Sequence, residues 1–371
     1  MQAKETYERK ILDNVSDAII TILVKSIDLI RPGWSKKNKS RISEWKLMLY
    51  ALNRSTPGVI GMIIVFLFLI MAIFGPYLAL YKYNDMLIYK DIKYRFIPPL
   101  GKGPKDEVFI LGTDDYGRDM LSLMLYGART SLIVAFFVIL IGPPLGILLG
   151  LISGYFGGKI DEIIMRITDI FLSFPSLLMA IAFAATLTER MRALLSYNQW
   201  AQIFFVHLFA LDLSDAPRLA NLIAVIIAIA IVLWPRYARV VRGVTLSTKE
   251  NTYVEAARAL GMTSWGVMFK HILPNVIAPI TVMMTLDIGW VILYEACLSY
   301  LGIGAQPPIA EWGRIVYDGS RWLTRGYWWY SLIPGVFILI TVLGFNLLGD
   351  TLRDVLDPRT RRSIEFKLKR R

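Results

Sequence analysis

The chain has 371 residues, of which 55% are hydrophobic and 19% charged, and its formal net charge is +12. The apolar excess sits in uncharged runs near the roughly 20 residues a bilayer crossing needs, which excludes a soluble enzyme and indicates a multi-span membrane protein. A single cysteine, Cys297, excludes a disulfide framework and a thiolate metal cluster; the positive surplus points to cytoplasmic loops and anionic lipid rather than nucleic acid.

The segment 1–56 opens with charged residues and shows no cleavable signal. Over Ile11–Ile30, the apolar Ile11, Val15, Ile19, Ile22 and Ile27 are interrupted by Asp13, Asp17, Lys25 and Asp28. This pattern predicts an amphipathic helix on the inner membrane surface, with a flexible polar tail as the alternative. Residues 31–41 read as a basic linker that meets lipid headgroups.

Six stretches then qualify as spans: Pro57–Leu80, Ser131–Gly154, Ile170–Leu187, Leu219–Trp234, Asn275–Leu298 and Trp329–Gly349. The segment 200–211 is short for a span and suits an interfacial or re-entrant helix. With six spans and the N-terminus inside, 27 of the 41 Lys and Arg residues fall on the cytoplasmic side, so both termini are expected there. The organisation is then a cytoplasmic segment 1–56, a first transmembrane helix 57–80, an extracytoplasmic loop 81–130, a five-helix core 131–349 and a cytoplasmic tail 350–371. The fold class is an all-α membrane protein.

Two features inside the spans call for a physical reading. Gly142, Gly146, Gly150 and Gly154 recur every four residues, so one stripe of that helix is bare backbone against which another helix can pack, or pack and slide. Pro143 and Pro144 should kink or break it. Asp287 and Glu295 lie in one span, eight residues apart; charge at membrane depth faces a polar pathway or a buried structural partner.

Outside the spans, LGTDDYGRDM (111–120) gathers Asp114, Asp115 and Asp119 beside Gly112 and Gly117, with Arg118 and Arg129 near enough in sequence to pair with them. A docking turn with a surface helix, a plain solvated turn and a metal loop are all open, although calcium would want more oxygen ligands. Trp322, Tyr327, Trp328, Trp329 and Tyr330 read as an interfacial aromatic belt or a sugar-stacking platform.

A polar, small-residue island closes the predicted cytoplasmic loop 235–274 and runs to the first residue of the next span: EAARALGMTSWGVMFKHILPN, Glu255 to Asn275. Thr252-x-x-Glu255 predicts a capping box, Ala256, Ala257 and Ala259 a slim helix of about two turns, and Gly261 its left-handed C-cap. Thr263 or Ser264 restarts a second helix that reaches the membrane near Pro274. Such a short rigid helix can dock on a soluble partner and transmit its movement. No phosphate-cradling loop accompanies it: the nearest approach, GYFGGKI at 154–160, has Ser153 where the first glycine belongs and no closing Ser or Thr.

The spacing of Glu255-Ala256-Ala257, Gly261 and Leu273-Pro274 resembles the EAA loop of ABC-importer permeases. LGTDDYGRD (111–119), LYGARTSL (125–132), GYFGGKIDEIIMRITD (154–169), FPSLL (174–178), EACLSYLGIGAQPP (295–308), EWG (311–313) and FNLLGDTLRDVLDPR (345–359) resemble the dipeptide, oligopeptide and nickel branch of that family. His271 stands where the general pattern has Ile, and the loop 188–218 is long for the family. The resemblance implies a non-catalytic type I importer permease in a bacterial or archaeal cell membrane. It implies a second homologous permease, two cytoplasmic ATPases that bind ATP and Mg, and an extracytoplasmic substrate-binding protein. Glu255, Ala256, Ala257, Gly261, Leu273 and Pro274 would be the ATPase-coupling residues, and the cargo a peptide, an oligosaccharide or nickel.

Overall fold

The computed structural model describes residues 11–81, 92–211, 213–307 and 309–356. The basic end of the C-terminal tail and the loop acids Asp85 and Asp91 lie outside the described residues.

The N-terminal region is a series of three helices joined by short turns. Helix α1 covers Ile11–Ile30, as the amphipathic pattern predicts. The expected linker 31–41 is replaced by a short helix α2 (Trp34–Lys37) and the start of α3 (Lys39–Arg54). The cause is local: Gly33 turns the chain at φ 83°, and the Asp28 side chain accepts a hydrogen bond from the Ser35 amide (2.8 Å). Helix α1 folds back on α3 through Asn53 Nδ2, which donates to Ser16 Oγ (3.0 Å), and through Lys46–Asp17 (2.9 Å).

The long apolar helices follow. Helix α4 is Thr56–Leu78, capped by Ser55. A two-stranded antiparallel ribbon, β1 (Gly101–Lys102) with β2 (Val108–Phe109), decorates the first loop. Helix α5 runs from Met120 to Phe156, 37 residues, and stays helical through Pro143 and Pro144 instead of breaking there. It starts eleven residues before the expected span because Asp119 caps it, accepting from the Ser122 amide (2.8 Å) and hydroxyl (2.7 Å).

Helix α6 (Gly158–Ser173) and helix α7 (Ser176–Tyr197) meet at a 97° bend. The expected span Ile170–Leu187 crosses that bend; Pro175 disfavours helical geometry at Phe174 and sets the corner, so the apolar helix begins at Ser176. Helix α8 (Gln199–Phe209) is the short segment of the long loop. Helix α9 spans Ala216–Thr248 and continues through Pro235. Helices α10 (Thr252–Ala259) and α11 (Ser264–Val267) form the island, and a π-helical turn over Met268–Ile272 leads into α12 (Leu273–Tyr300). Helix α13 (Trp312–Ser320) precedes the last long helix, α14 (Trp329–Leu356).

Among the described residues five helices are long and apolar enough to cross a membrane, or six if the bent pair α6–α7 counts as one span. Helix α9 is the centre: it packs along α5 and α7 and also meets α12. A second row is formed by α12, α14, α4 and α5, each against the next. The close crossings use small residues: a Cβ on Gly61 would lie 2.7 Å from the Leu348 amide nitrogen, so the α4 and α14 backbones nearly touch. With lipid tails as solvent, such contact is a principal source of helix association.

Candidate coupling site

Helix α10 begins one residue earlier than the capping-box pattern predicts. Asn251 is at the cap, with no side-chain cap hydrogen bond, and Thr252 is already the first helical residue. Glu255 therefore sits a full turn in, its amide bonded to the Asn251 carbonyl (3.2 Å), and the predicted Thr252–Glu255 exchange does not form.

The other end is built as the sequence predicts. Gly261 has φ 82°, its amide donates to the Arg258 carbonyl (2.9 Å), and the Met262 amide reaches the Ala257 carbonyl (3.1 Å). These two bonds form a Schellman closure, which needs a left-handed residue at Gly261. Thr263 then caps α11, accepting from the Gly266 amide (3.2 Å). Leu273 is half-buried and Pro274 exposed at the first turn of α12; a π turn directly precedes this proline, which has no amide to donate.

Burial divides α10 into two faces. Val254 and Ala257 point into the protein, while Glu255, Ala256 and Gly261 are exposed, with Leu260 exposed at 89%. Tyr253 and Arg258 tie the helix down from its flanks: Asn275 Nδ2 donates to Tyr253 Oη (3.1 Å), and the Arg258 guanidinium lies 4.8 Å from the Tyr155 ring centroid. His271 is half-buried beside the Tyr253 ring. Trp265 and Phe269 stack on each other and stay exposed, extending the open face. The site is thus a rigid two-turn helix with one anchored side and one presented side.

Above it lies the glycine stripe. A Cβ on Gly142 would lie 3.0 Å from the Ala230 carbonyl oxygen, on Gly150 2.6 Å from that of Ala238, and on Gly154 2.7 Å from Thr245 Cβ; Gly146 faces Trp234 and Tyr237. All four glycines therefore face α9 of the same chain, and that stripe is filled within the subunit.

Asp287 and Glu295 are both buried, but the structure does not bring them together. Tyr237 Oη donates to Asp287 Oδ2 (2.7 Å) and Arg236 Nη1 to Oδ1 (3.1 Å). Glu295 turns the other way: Ser131 Oγ donates to its Oε2 (3.0 Å), and its carboxyl meets that of Glu311, which caps α13. Two grooves border α12, one lined by residues including Asn275 and Arg353 and one by residues including Cys297 and Tyr300, and neither carboxyl lines them. Each carboxyl thus lies in its own buried contact within the chain, as charge at this depth takes partners.

The acids of the 111–120 turn are used in the same way. Asp114 Oδ1 accepts from the Tyr116 and Arg118 amides (2.9 and 2.8 Å), and Arg118 Nε donates to Oδ2 (2.5 Å). Asp115 accepts from Tyr330 Oη (2.7 Å), and burial pushes its carboxyl above the ordinary range. Arg129 does not pair with these acids; its Nε donates to the Leu208 carbonyl (3.0 Å) and anchors the long loop. The aromatic group is also more internal than a belt: Trp329 Nε1 donates to the Thr113 carbonyl (3.1 Å), Tyr330 is fully buried, and Phe96 stacks on Tyr327 at 4.1 Å.

Sequence reasoning missed the polar layer at the α5–α6 junction. Asp161 of α6 takes a bidentate contact from Arg242 of α9 (2.5 and 2.6 Å) and a hydrogen bond from Ser153, and Lys249 Nζ donates to the Gly154 carbonyl (3.0 Å). Arg242 is 81 residues from Asp161, so no local spacing could have announced the pair.

A bundle of long apolar helices, with a short polar helix between two of its long members in the chain, marks a multi-pass membrane protein. The chain belongs to the family of binding-protein-dependent transport system inner membrane components, whose model matches residues 146–362. A second model, the N-terminal transmembrane domain of oligopeptide transport permease C, matches residues 43–99. The chain is 39% identical to the dipeptide transport system permease protein DppC of Alkalihalophilus pseudofirmus, over 86% of this chain and 91% of that one. It is 37% identical to the probable D,D-dipeptide transport system permease protein DdpC of Escherichia coli, over 91% and 98%. It is also 37% identical to the oligopeptide transport system permease protein OppC of Bacillus subtilis, over 88% and 93%. The chain is an ABC-transporter permease, a non-catalytic, multi-pass component of the inner membrane.

Proposed function

We propose that this permease imports peptides or related solutes, crossing the membrane six times with both termini in the cytoplasm. The bent pair α6–α7 supplies the sixth crossing, and the distribution of Lys and Arg supports the orientation. The names of its relatives favour a peptide cargo. Oligosaccharides or nickel are the alternative cargoes within the same machinery.

The subunit pairs with a second, homologous permease. Two cytoplasmic ATPases, which bind ATP and Mg, seat on the coupling helices of the pair, and an extracytoplasmic binding protein delivers the cargo. Glu255, Ala256, Ala257, Gly261, Leu273 and Pro274 form the coupling element. Closure of the ATPases on ATP draws the coupling helices together and turns the pair outward; hydrolysis resets it. The observation that carries this reading is the division of α10 into an anchored face, Val254 and Ala257, and a presented face, Glu255, Ala256 and Leu260.

The test is reconstitution with the ATPase, sister permease and binding protein encoded alongside. Uptake that needs ATP and all the partners supports the reading. Uptake by this chain alone, driven by an ion gradient, would replace it with a different reading, an ion-driven secondary transporter.

A further inference from the structure

We infer that Tyr155, Asp161 and Arg242 are positioning residues that bind the coupling helix to the glycine-seamed helices, so that α10, α5 and α9 move as one body. The inference rests on the coupling role proposed above and adds the route by which displacement leaves α10.

Besides the three-residue link 249–251 to α9 and the Tyr253–Asn275 hydrogen bond to α12, two routes lead out of α10. One is covalent, through the left-handed turn at Gly261, the short α11 and the π turn before Leu273. A glycine turn and a π turn are compliant, and a push along them is dissipated in φ and ψ. The other route is through side chains. Arg258 of α10 lies over Tyr155, the residue that follows the last seam glycine, Gly154. Gly154 itself touches Thr245 and gives its carbonyl to Lys249, so this end of α5 is held on α9.

Six residues further on, Asp161 closes the route. Its two oxygens take both arms of Arg242, a planar, preorganised contact, and Ser153 donates to the same carboxylate. Asp169 takes Arg239 (2.5 Å) as a second staple between α6 and α9. Residues 153–161 therefore join α5, α6 and α9 within one stretch of chain, and Tyr155 in that stretch carries the contact to α10.

The test uses the complete importer in lipid nanodiscs with spin labels on the exposed positions Ser247→Cys of α9 and Ala259→Cys of α10, in a Cys297→Ser background. In the otherwise unaltered chain, the Ser247–Ala259 distance should stay within about 2 Å between the nucleotide-free and vanadate-trapped states. In Tyr155→Leu and in Asp161→Asn, the ATPase should still co-purify, but the distance should change on trapping. Stimulation of ATP hydrolysis by the binding protein should fall about tenfold. Tyr155→Phe should behave as the unaltered chain, and the exchange Asp161→Arg with Arg242→Asp should recover most of the stimulation. A distance that shifts on trapping in the unaltered chain, or full stimulation in both single variants, would overturn the inference. A loss of ATPase binding by either single variant would overturn it too, since it would make the contact a docking element. The coupling reading itself fails by a different result, an unaltered importer whose ATP hydrolysis does not respond to the binding protein.

Discussion

Tyr237 packs directly on Gly146: a Cβ built on that glycine would lie 2.6 Å from the Cβ of Tyr237. The same tyrosine donates its hydroxyl to Asp287. One residue of α9 thus joins the seam with α5 to the charged contact with α12. Gly146→Val forces backbone apart at this point and should destabilise the subunit by about 3 kcal/mol, the upper end for overpacking. Gly243, in the same helix as Tyr237, has open space around it, so Gly243→Ala should hold or raise stability by up to about 1 kcal/mol. Thermal unfolding of both variants in detergent checks the contrast.

Asp287→Ala leaves the Tyr237 hydroxyl without its acceptor and removes the counter-charge of Arg236. The pair is asymmetric, Asp287 buried and Arg236 about half exposed, so truncating the buried acceptor costs about 1–3 kcal/mol. The variant should lose that stability in detergent unfolding, whereas Tyr237→Phe, which deletes one hydrogen bond and leaves the ion pair, should cost about 1 kcal/mol. Equal losses would show that the hydroxyl, not the charge, matters.

Glu311 supplies a pH dependence. Burial pushes its carboxyl up to about 7 from an ordinary value of 4.5, against the opposing hydrogen bonds from the Gly313 and Arg314 amides. The folded protein therefore holds this proton more tightly than the unfolded chain. The stability it contributes is complete below pH 4.5 and is lost as pH rises towards 7. Glu311→Gln keeps a capping oxygen and leaves Glu295 as the one titratable carboxyl of the pair, so the melting temperature should vary less over that window than in the unaltered protein.

Gly261→Val must hold a β-branched residue at φ 82°, although no atom lies within 4 Å of the new Cβ. The cost is conformational, at least about 1–2 kcal/mol, and falls on the Schellman closure of α10. The variant should insert and pair normally but lose binding-protein-stimulated ATP hydrolysis. Gly33, at φ 83° and also open, turns the chain before α2, away from the coupling helix in sequence. Gly33→Val is the control for strain alone and should retain that stimulation.

Local chemistry was legible in the sequence and long-range pairing was not. The Schellman turn at Gly261 follows from one glycine after a run of helix formers. The cap was misplaced by one residue because Asn251 and Thr252 are both good capping residues, and nothing local chooses between them. The period-four glycines announced a close contact, but α9 as its occupant depends on pairings such as Gly150 with Ala238, far apart in the chain. Asp287 and Glu295 read as one polar face because they share a helix. The structure separates them, since Tyr237 reaches one and Ser131 the other. The Asp161–Arg242 contact carried no sequence signal at all, as each residue alone is an ordinary charge outside the expected spans.

The central claim is that α10 is where ATP hydrolysis by a partner becomes movement of this subunit. It is tested most directly by uptake into proteoliposomes holding the complete importer, with the unaltered chain and with Glu255→Lys on the exposed face of that helix. The account predicts ATP-dependent uptake by the first and at least about a tenfold loss in the second, with the variant still inserted and paired. Full uptake with full stimulated ATP hydrolysis by Glu255→Lys would contradict it.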